Sequence, residues 1–205
     1  MDEGATRPFL GATISIMPLL SASESEAAIR ATGAWLEKAV IGLNLCPFAK
    51  AVHVRRQIRY AVSDARTEVV LLDDLHAELQ TLMATPPEQM DTTLLIHPHV
   101  LNDFADYNRF LDLAEGAVAE ARLVGVIQLA SFHPHYVFAG TAPDDITNYT
   151  NRSPYPMLHL LREASLTRAV GAYPDAAQIY ETNIATMKRL GHEGWAQLGP
   201  NPPED

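Results

Sequence analysis

Apolar side chains recur at three- and four-residue spacing after Asn102 and Asp103. The run comprises Phe104, Tyr107, Leu111, Ala114, Val118 and Ala121. This spacing predicts an amphipathic helix that begins at the two polar residues. An earlier helix, capped by Ser63 or Asp64 and ended by 85–87, is predicted from Leu72, Leu75, Leu79 and Leu82. A first helix is predicted from about residue 26 to Gly42, because segment 23–26 has the composition of a capping box.

Short β-prone runs separate these helices, at residues 57–62, 92–96 and 123–130. Strands that alternate with helices of this length predict right-handed crossovers, which leave the strands parallel.

Two closing helices are predicted. Ser153 caps the first, in which Leu158 and Leu161 are buried, and the second runs from Pro174 to Gly191. The pattern therefore predicts an α/β fold of βαβαβ order, with a small, mainly parallel sheet of three or four strands between an N-terminal helix and two C-terminal helices.

Chain length and apolar content predict one hydrophobic core. The protein has 205 residues, of which 47% are hydrophobic, enough for one sizeable domain. We expect a flexible N-terminal arm over residues 1–22, a single α/β domain over 23–192 and a disordered tail over 193–205, where proline and charged residues dominate the end.

The charge balance excludes two classes of partner. A formal net charge of -10 repels nucleic-acid phosphates and anionic membrane surfaces. The apolar stretch 9–20 is interrupted by polar residues and is too short to span a bilayer. With a single cysteine, the chain forms no internal disulfide and no zinc site built on several thiolates. These features predict a cytoplasmic protein.

Two histidine triplets follow the second and third predicted strands, at 97–99 and 133–135. If these strands are adjacent, the imidazoles of His97, His99, His133 and His135 converge within reach of one metal ion or one polar substrate, because neighbouring strands lie only ~4.8 Å apart. Imidazoles favour a divalent transition metal such as Zn, Fe, Cu or Ni. In the alternative interpretation, the histidines only end the strands, and His99 and His135 face solvent.

The loop 140–153 carries amide, hydroxyl and carboxylate groups up to the predicted helix start. We expect a substrate-binding group there, formed by Asn148, Asn151, Arg152 and Ser153. A helix N-terminus beside a guanidinium favours an anion, and Asp144 or Asp145 could orient a histidine. The alternative is that Ser153 only caps the helix and Arg152 pairs with one of these aspartates.

Cys46 lies just past the end of the first predicted helix. The helix dipole does not lower a thiol pKa at that position, and apolar neighbours favour a buried small hydrophobe. The alternative is a nucleophile or soft ligand that folding brings beside His97 or His133.

The chain resembles a family known only as domain of unknown function 1415. The resemblance rests on residues 42–49, 94–98, 128–134, 138–141 and 148–156, and it spans roughly residues 28 to 190. It implies no settled activity. Six candidate residues lie inside the matching stretches: Cys46, His97, His133, Asn148, Asn151 and Arg152. His99 lies at the margin of its motif and His135 outside the expected pattern, which favours a site of His97 and His133 with partners from the loop.

These features predict a hydrolase- or lyase-type enzyme that acts on a small anionic molecule. His97 and His133 would be metal ligands or a general acid and base, with Cys46 and Asp145 as further catalytic candidates. Arg152 and its neighbours would hold the anionic group. The alternative is a non-catalytic module that binds or senses a metal or a metabolite, because the common phosphate-loop, nucleophile-elbow and zinc-protease motifs are absent from the sequence.

Overall fold

The computed structural model describes residues 19–172 and 178–199. A sheet of four strands, in the order β1-β2-β4-β3, forms its centre. The strands are β1 (Ile58–Val62), β2 (Thr92–Ile96), β3 (Ile127–Phe132) and β4 (Met157–Arg162). β1 and β2 pair in parallel, whereas β4 is antiparallel to both β2 and β3. β1, β2 and β3 therefore run in one direction, as predicted. The α/β fold class is confirmed, with a sheet that is mixed rather than purely parallel.

The segment predicted as the first closing helix is instead strand β4, and this prediction was wrong. A short apolar run such as 157–161 fits a helix or a buried strand equally well. Pro154 and Pro156 hold the residues before them extended, and hydrogen bonding to β2 on one side and β3 on the other decides the outcome. The strand also separates β2 from β3, so the adjacency of these two strands on which the four-imidazole site depended is not present.

Helices α3 (Glu68–Ala84) and α4 (Phe104–Glu120) cover one face of the sheet. Most of their predicted apolar residues pack there, although Leu72, Phe104 and Leu111 are only partly buried. Ala121, the last residue of the predicted α4 stripe, is exposed and follows the end of the helix. Asp103 caps α4 as expected, through its bonds to two backbone amides. Thr67 rather than Ser63 or Asp64 caps α3. Strand β3 begins later than predicted, because Leu123 still bonds back to Val118 in the turn that ends α4.

The opposite face carries α1 (Ala22–Trp35), the π-helix Leu36–Ile41, α2 (Ala49–Val54) and α6 (Ile179–Leu198). The capping box of α1 is formed by Ser21 and Glu24, two residues before the predicted position. The helix α5 (Glu163–Gly171) follows β4, and the 3-10 helix Ile146–Thr150 lies within the long polar loop. α6 is kinked at Gly191, whose backbone is non-helical with a φ of 65°.

The kink lies where the sequence predicted the helix to end, but α6 continues to Leu198. Residues 193–198 are therefore helical, not part of a tail. At the other end, α1 already begins at Ala22. Most of the predicted arm, the predicted helix start at Pro174 and residues 200–205 lie outside the described residues. Within the described ranges, no helix has both the length and the apolar character needed to cross a membrane.

Candidate functional site

The two histidine corners lie at one rim of the sheet, as predicted. β2 and β3 run in the same direction, and Ile96 and Phe132 both pair with Met157 at the start of β4. The next side chains, His97 and His133, turn towards α4, where both rings pack against Tyr107, with centroid distances of 5.8 and 5.1 Å. Both histidines are fully buried. Folding therefore brings the imidazoles together but encloses them.

Both ring nitrogens of His133 have hydrogen-bond partners in the backbone. The amide of His135 donates to Nδ1 over 3.0 Å, which places the proton on Nε2, 3.1 Å from the carbonyl oxygen of Leu101. Burial lowers the pKa of His133 to about 4. The ring is therefore neutral, and its one lone pair on nitrogen is already used.

His97 has one partnered nitrogen and one without a partner. Nδ1 lies 3.0 Å from the carbonyl oxygen of Val100, which makes it the protonated nitrogen. Nε2 is buried and has no hydrogen-bond partner. Burial lowers the pKa of His97 to about 4. His97 is thus a neutral imidazole with one free lone pair inside the protein.

The other two predicted metal ligands differ from each other in exposure, although the ring centroid of His135 lies 5.8 Å from that of His133. His135 is exposed, and the Nε2 atom of His99 is buried without a partner. The described residues include no group of three or more His, Cys, Asp or Glu side chains that could hold a metal ion. This geometry gives the four-imidazole site no support.

Asn148 organises the polar loop instead of facing a substrate. Its buried amide oxygen accepts hydrogen bonds from the backbone of Phe138 and the hydroxyl of Thr141, and its amide nitrogen donates to the carbonyl of Ala142. Asn151 donates to the carbonyl of Ser131 on β3. The two amides fix the loop against the end of β3.

Arg152 holds backbone carbonyls rather than an open anion site. It donates to the oxygens of Tyr136 and Pro143, and its guanidinium lies 4.0 Å from the ring centroid of Tyr149. The helix start predicted at Ser153 does not exist, so the dipole that favoured an anion there is absent. The hydroxyl of Ser153 donates instead to the carbonyl of Tyr155.

Asp145 caps the 3-10 helix Ile146–Thr150. Its carboxylate accepts from the backbone amide and the hydroxyl of Thr147, and these bonds lower its pKa. Arg152 forms no described ion pair with this carboxylate or with Asp144. Asp145 forms no described hydrogen bond to a histidine ring, so its predicted role in orienting one gains no support.

Cys46 lies in a turn whose shape depends on two neighbours. The π-helix ends at Gly42, where a Cβ atom would overlap the carbonyl oxygen of Lys38. Asn44 adopts a left-handed backbone with a φ of 55°, which asparagine tolerates better than most residues. The amide of Asn183 on α6 donates to the carbonyl of Leu45 over 2.8 Å. This turn places Cys46 on the α1 and α6 face of the sheet, opposite the histidine rings.

Beside Cys46 lies a cavity of about 330 Å³, a size typical of small-molecule sites. We call it the Cys46 cavity. Four segments line it: the Cys46 turn with the end of the π-helix, the end of β3 and residues 138–141, the 3-10 helix with Asn151, and the first turns of α6. Its lining includes Phe132 but neither His97 nor His133. Folding therefore does not bring Cys46 beside the histidines within one site.

A second depression, of about 350 Å³, lies between β1 and α3. Its carboxylates already have partners. Asp74 accepts from the hydroxyl of Ser63, Glu78 pairs with Arg59, and Asp64 accepts from the backbone of Leu20. The Cys46 cavity is the better candidate, because it also draws on four of the sequence stretches that carry the family resemblance.

The thiol of Cys46 should react slowly with iodoacetamide at neutral pH. Burial raises its pKa, an effect only partly opposed by the backbone amides of Phe48 and Ala49. We therefore expect the pH dependence of alkylation to have its midpoint above the ordinary cysteine value of about 8.5. The urea-unfolded chain, with the same single thiol, is the control. A midpoint below the ordinary value in the folded protein would contradict this account and restore Cys46 as a nucleophile.

Sequence reasoning missed most residues that line the cavity. Tyr180, Asn183 and Ile184 come from α6, far along the chain, and Thr141, Thr147 and Thr150 were part of a loop without a regular pattern. No local signal joins these segments. Sequence reasoning also missed His159 on β4. Its Nε2 atom lies 2.7 Å from the hydroxyl oxygen of Thr92, and burial lowers its pKa to about 4.

The fold and the cavity define a small mixed α/β protein with a partly open cavity, lined by uncharged residues, on one face of its sheet. The chain belongs to the family described as protein of unknown function (DUF1415), whose model matches residues 27–197. The resemblance noted in the sequence is thereby confirmed. No curated protein and no solved structure matches the chain.

Proposed function

We propose that this protein binds a small molecule in the Cys46 cavity. The observation that carries the proposal is the cavity itself: about 330 Å³, bounded by four segments, of which the Cys46 turn and α6 are distant in sequence from the other two. Such concave, mainly apolar sites with a few polar groups are typical of ligand binding. The proposal follows the binding-module alternative, with a metabolite as ligand. It also retains a cytoplasmic location, which suits a chain with a single free thiol.

Several hydrogen bonds support a preformed site. Asn183 ties α6 to the Cys46 turn, Asn151 ties the loop to β3, and Asn148 fixes residues 138–142. The walls are therefore held in place by groups that have no need of a ligand. A preformed cavity loses less entropy on binding than one that a ligand must order.

Filling the cavity should abolish binding. In Ile184→Trp, the indole would occupy the space beside Cys46, and we expect ligands from a library of neutral small molecules to lose their stabilising effect in thermal unfolding. Ala139→Trp, at an exposed position of the cavity wall, is a second variant in case the first fails to fold. Val170→Trp on α5, an exposed site outside the cavity, is the matched control. Equal stabilisation of all four proteins by the same ligands would overturn the proposal.

A hydrolase- or lyase-type enzyme remains the second candidate, favoured by one observation. The Nε2 atom of His97 is an unpartnered base close to a second imidazole. Its ring is fully buried. A substrate could therefore reach this nitrogen only after the edge of the sheet at which β2 and β3 end had moved away from α4. Turnover of phosphate or carboxylate esters that is lost in His97→Ala would favour the enzyme over the binding module.

A further inference from the structure

The lining of the Cys46 cavity restricts the charge of its ligand. None of the residues that line it within the described chain is an Asp, Glu, Lys, Arg or His. The nearby carboxylate of Asp145 is already bonded to Thr147, and the guanidinium of Arg152 is bonded to two carbonyls. A charged ligand would lose its hydration without gaining a partner of opposite charge, which is costly. The site therefore favours an uncharged molecule.

The threonine hydroxyls of the lining restrict its hydrogen-bonding character. Thr141 lies 2.7 Å from the amide oxygen of Asn148, Thr147 lies 2.7 Å from the carboxylate of Asp145, and Thr150 lies 3.1 Å from the carbonyl of Thr147. Each hydroxyl has one hydrogen, and the protein already takes it. Any of these oxygens that meets a ligand can only accept a hydrogen bond.

The remaining lining residues determine how apolar the ligand should be. Val40, Leu45, Phe132, Phe138 and Ile184 supply apolar surface. Asn183 and Asn151 each donate one amide hydrogen to a backbone carbonyl and keep their second hydrogen, so the amides can serve either role. The cavity thus offers donors as well as acceptors beside its apolar surface, and the three threonine oxygens are the groups restricted to accepting.

We infer that the ligand is an uncharged molecule with an apolar body and at least one hydroxyl or N–H donor, which it directs at the threonine oxygens. The inference rests on the proposed function and names the class of ligand for the same cavity. It departs from the anionic molecule expected from the sequence, because the helix start that favoured an anion is not formed.

Three probes of similar size test this inference: benzyl alcohol, benzyl methyl ether, in which a methyl group replaces the donor hydrogen, and benzoate, which is an anion. Binding is followed by amide shifts in nitrogen–proton NMR spectra. We expect benzyl alcohol to bind roughly 3- to 10-fold more tightly than the ether, as one hydrogen bond allows, and benzoate to bind most weakly. Thr141→Val, Thr147→Val and Thr150→Val, made singly, should include at least one that removes the preference for the alcohol.

Thr81→Val is the control, because this hydroxyl also donates within its own helix, to Ala77, but lies on α3. Equal binding of alcohol and ether, tighter binding of benzoate, or a preference that survives all three cavity variants would overturn the inference while leaving the cavity as a binding site. If no probe shifts the resonances of the lining residues, the inference fails together with the proposed function.

Discussion

Lowering the pH from about 7 to about 4 should reduce the free energy of unfolding by several kcal/mol. Burial lowers the pKa of His97, His133 and His159 from 6.5 to about 4. The unfolded chain therefore binds these protons at a higher pH than the folded protein does. The stabilisation is complete above the unfolded pKa and is lost as the pH falls through the window down to about 4. Each fully shifted histidine contributes on the order of 3 kcal/mol.

Urea denaturation across this pH range measures the effect. In His97→Asn, the amide nitrogen can take the place of Nδ1 and donate to Val100, so the variant should lose part of the pH dependence without losing that bond. Asn108→Ala, at an exposed position of α4, removes no titratable group and should keep the pH dependence of the parent protein. A stability that stays constant between about pH 6.5 and about pH 4 would show that these imidazoles are not held neutral by burial.

Asn148→Ala should destabilise the protein by about 2–4 kcal/mol and also weaken ligand binding. The side chain is fully buried and makes three hydrogen bonds, so its loss leaves the amide of Phe138 without its acceptor and removes one of the two hydrogen bonds to the carbonyl of Ala142. Because these residues adjoin one wall of the Cys46 cavity, the wall should become mobile. Chemical denaturation and hydrogen exchange over residues 138–148 measure the two effects.

Asn108→Ala provides the matched control for this change. Asn108 lies at an exposed position of α4, where alanine is a better helix former than asparagine. We expect no loss of stability and unchanged exchange in the loop. If Asn148→Ala were as stable as the parent, the loop would not depend on this amide, and the argument for a preformed cavity would lose its main support.

The sequence predicted those parts of the fold that depend on the local spacing of apolar and polar residues. Helix α4 follows from its apolar spacing and the Asp103 cap, and β2 follows from a short run that is buried throughout. The shared rim of His97 and His133 follows from the common direction of β2 and β3, a consequence of the crossover rule.

The parts of the fold that the sequence did not predict depend on contacts between segments that are far apart in the chain. Strand β4 has a sequence that suits either element, and only its insertion between β2 and β3 makes it a strand. The burial of the histidine rings depends on Tyr107, whose hydroxyl joins the carbonyl of Met157 to the amide of Phe132. The Cys46 cavity needs the kinked α6 to close against a loop that lies well before it in the chain, which no local pattern reveals.

The most direct test of the central claim is to locate where small molecules bind. Amide shift changes caused by a library of neutral small molecules can be mapped onto the described residues. We expect them to concentrate around Cys46, Thr141, Thr150 and Asn183, and to vanish in Ile184→Trp. Shift changes concentrated at Val100, Leu101 and His133 would contradict the claim. They would place the functional site at the edge of the sheet where His97 and His133 lie.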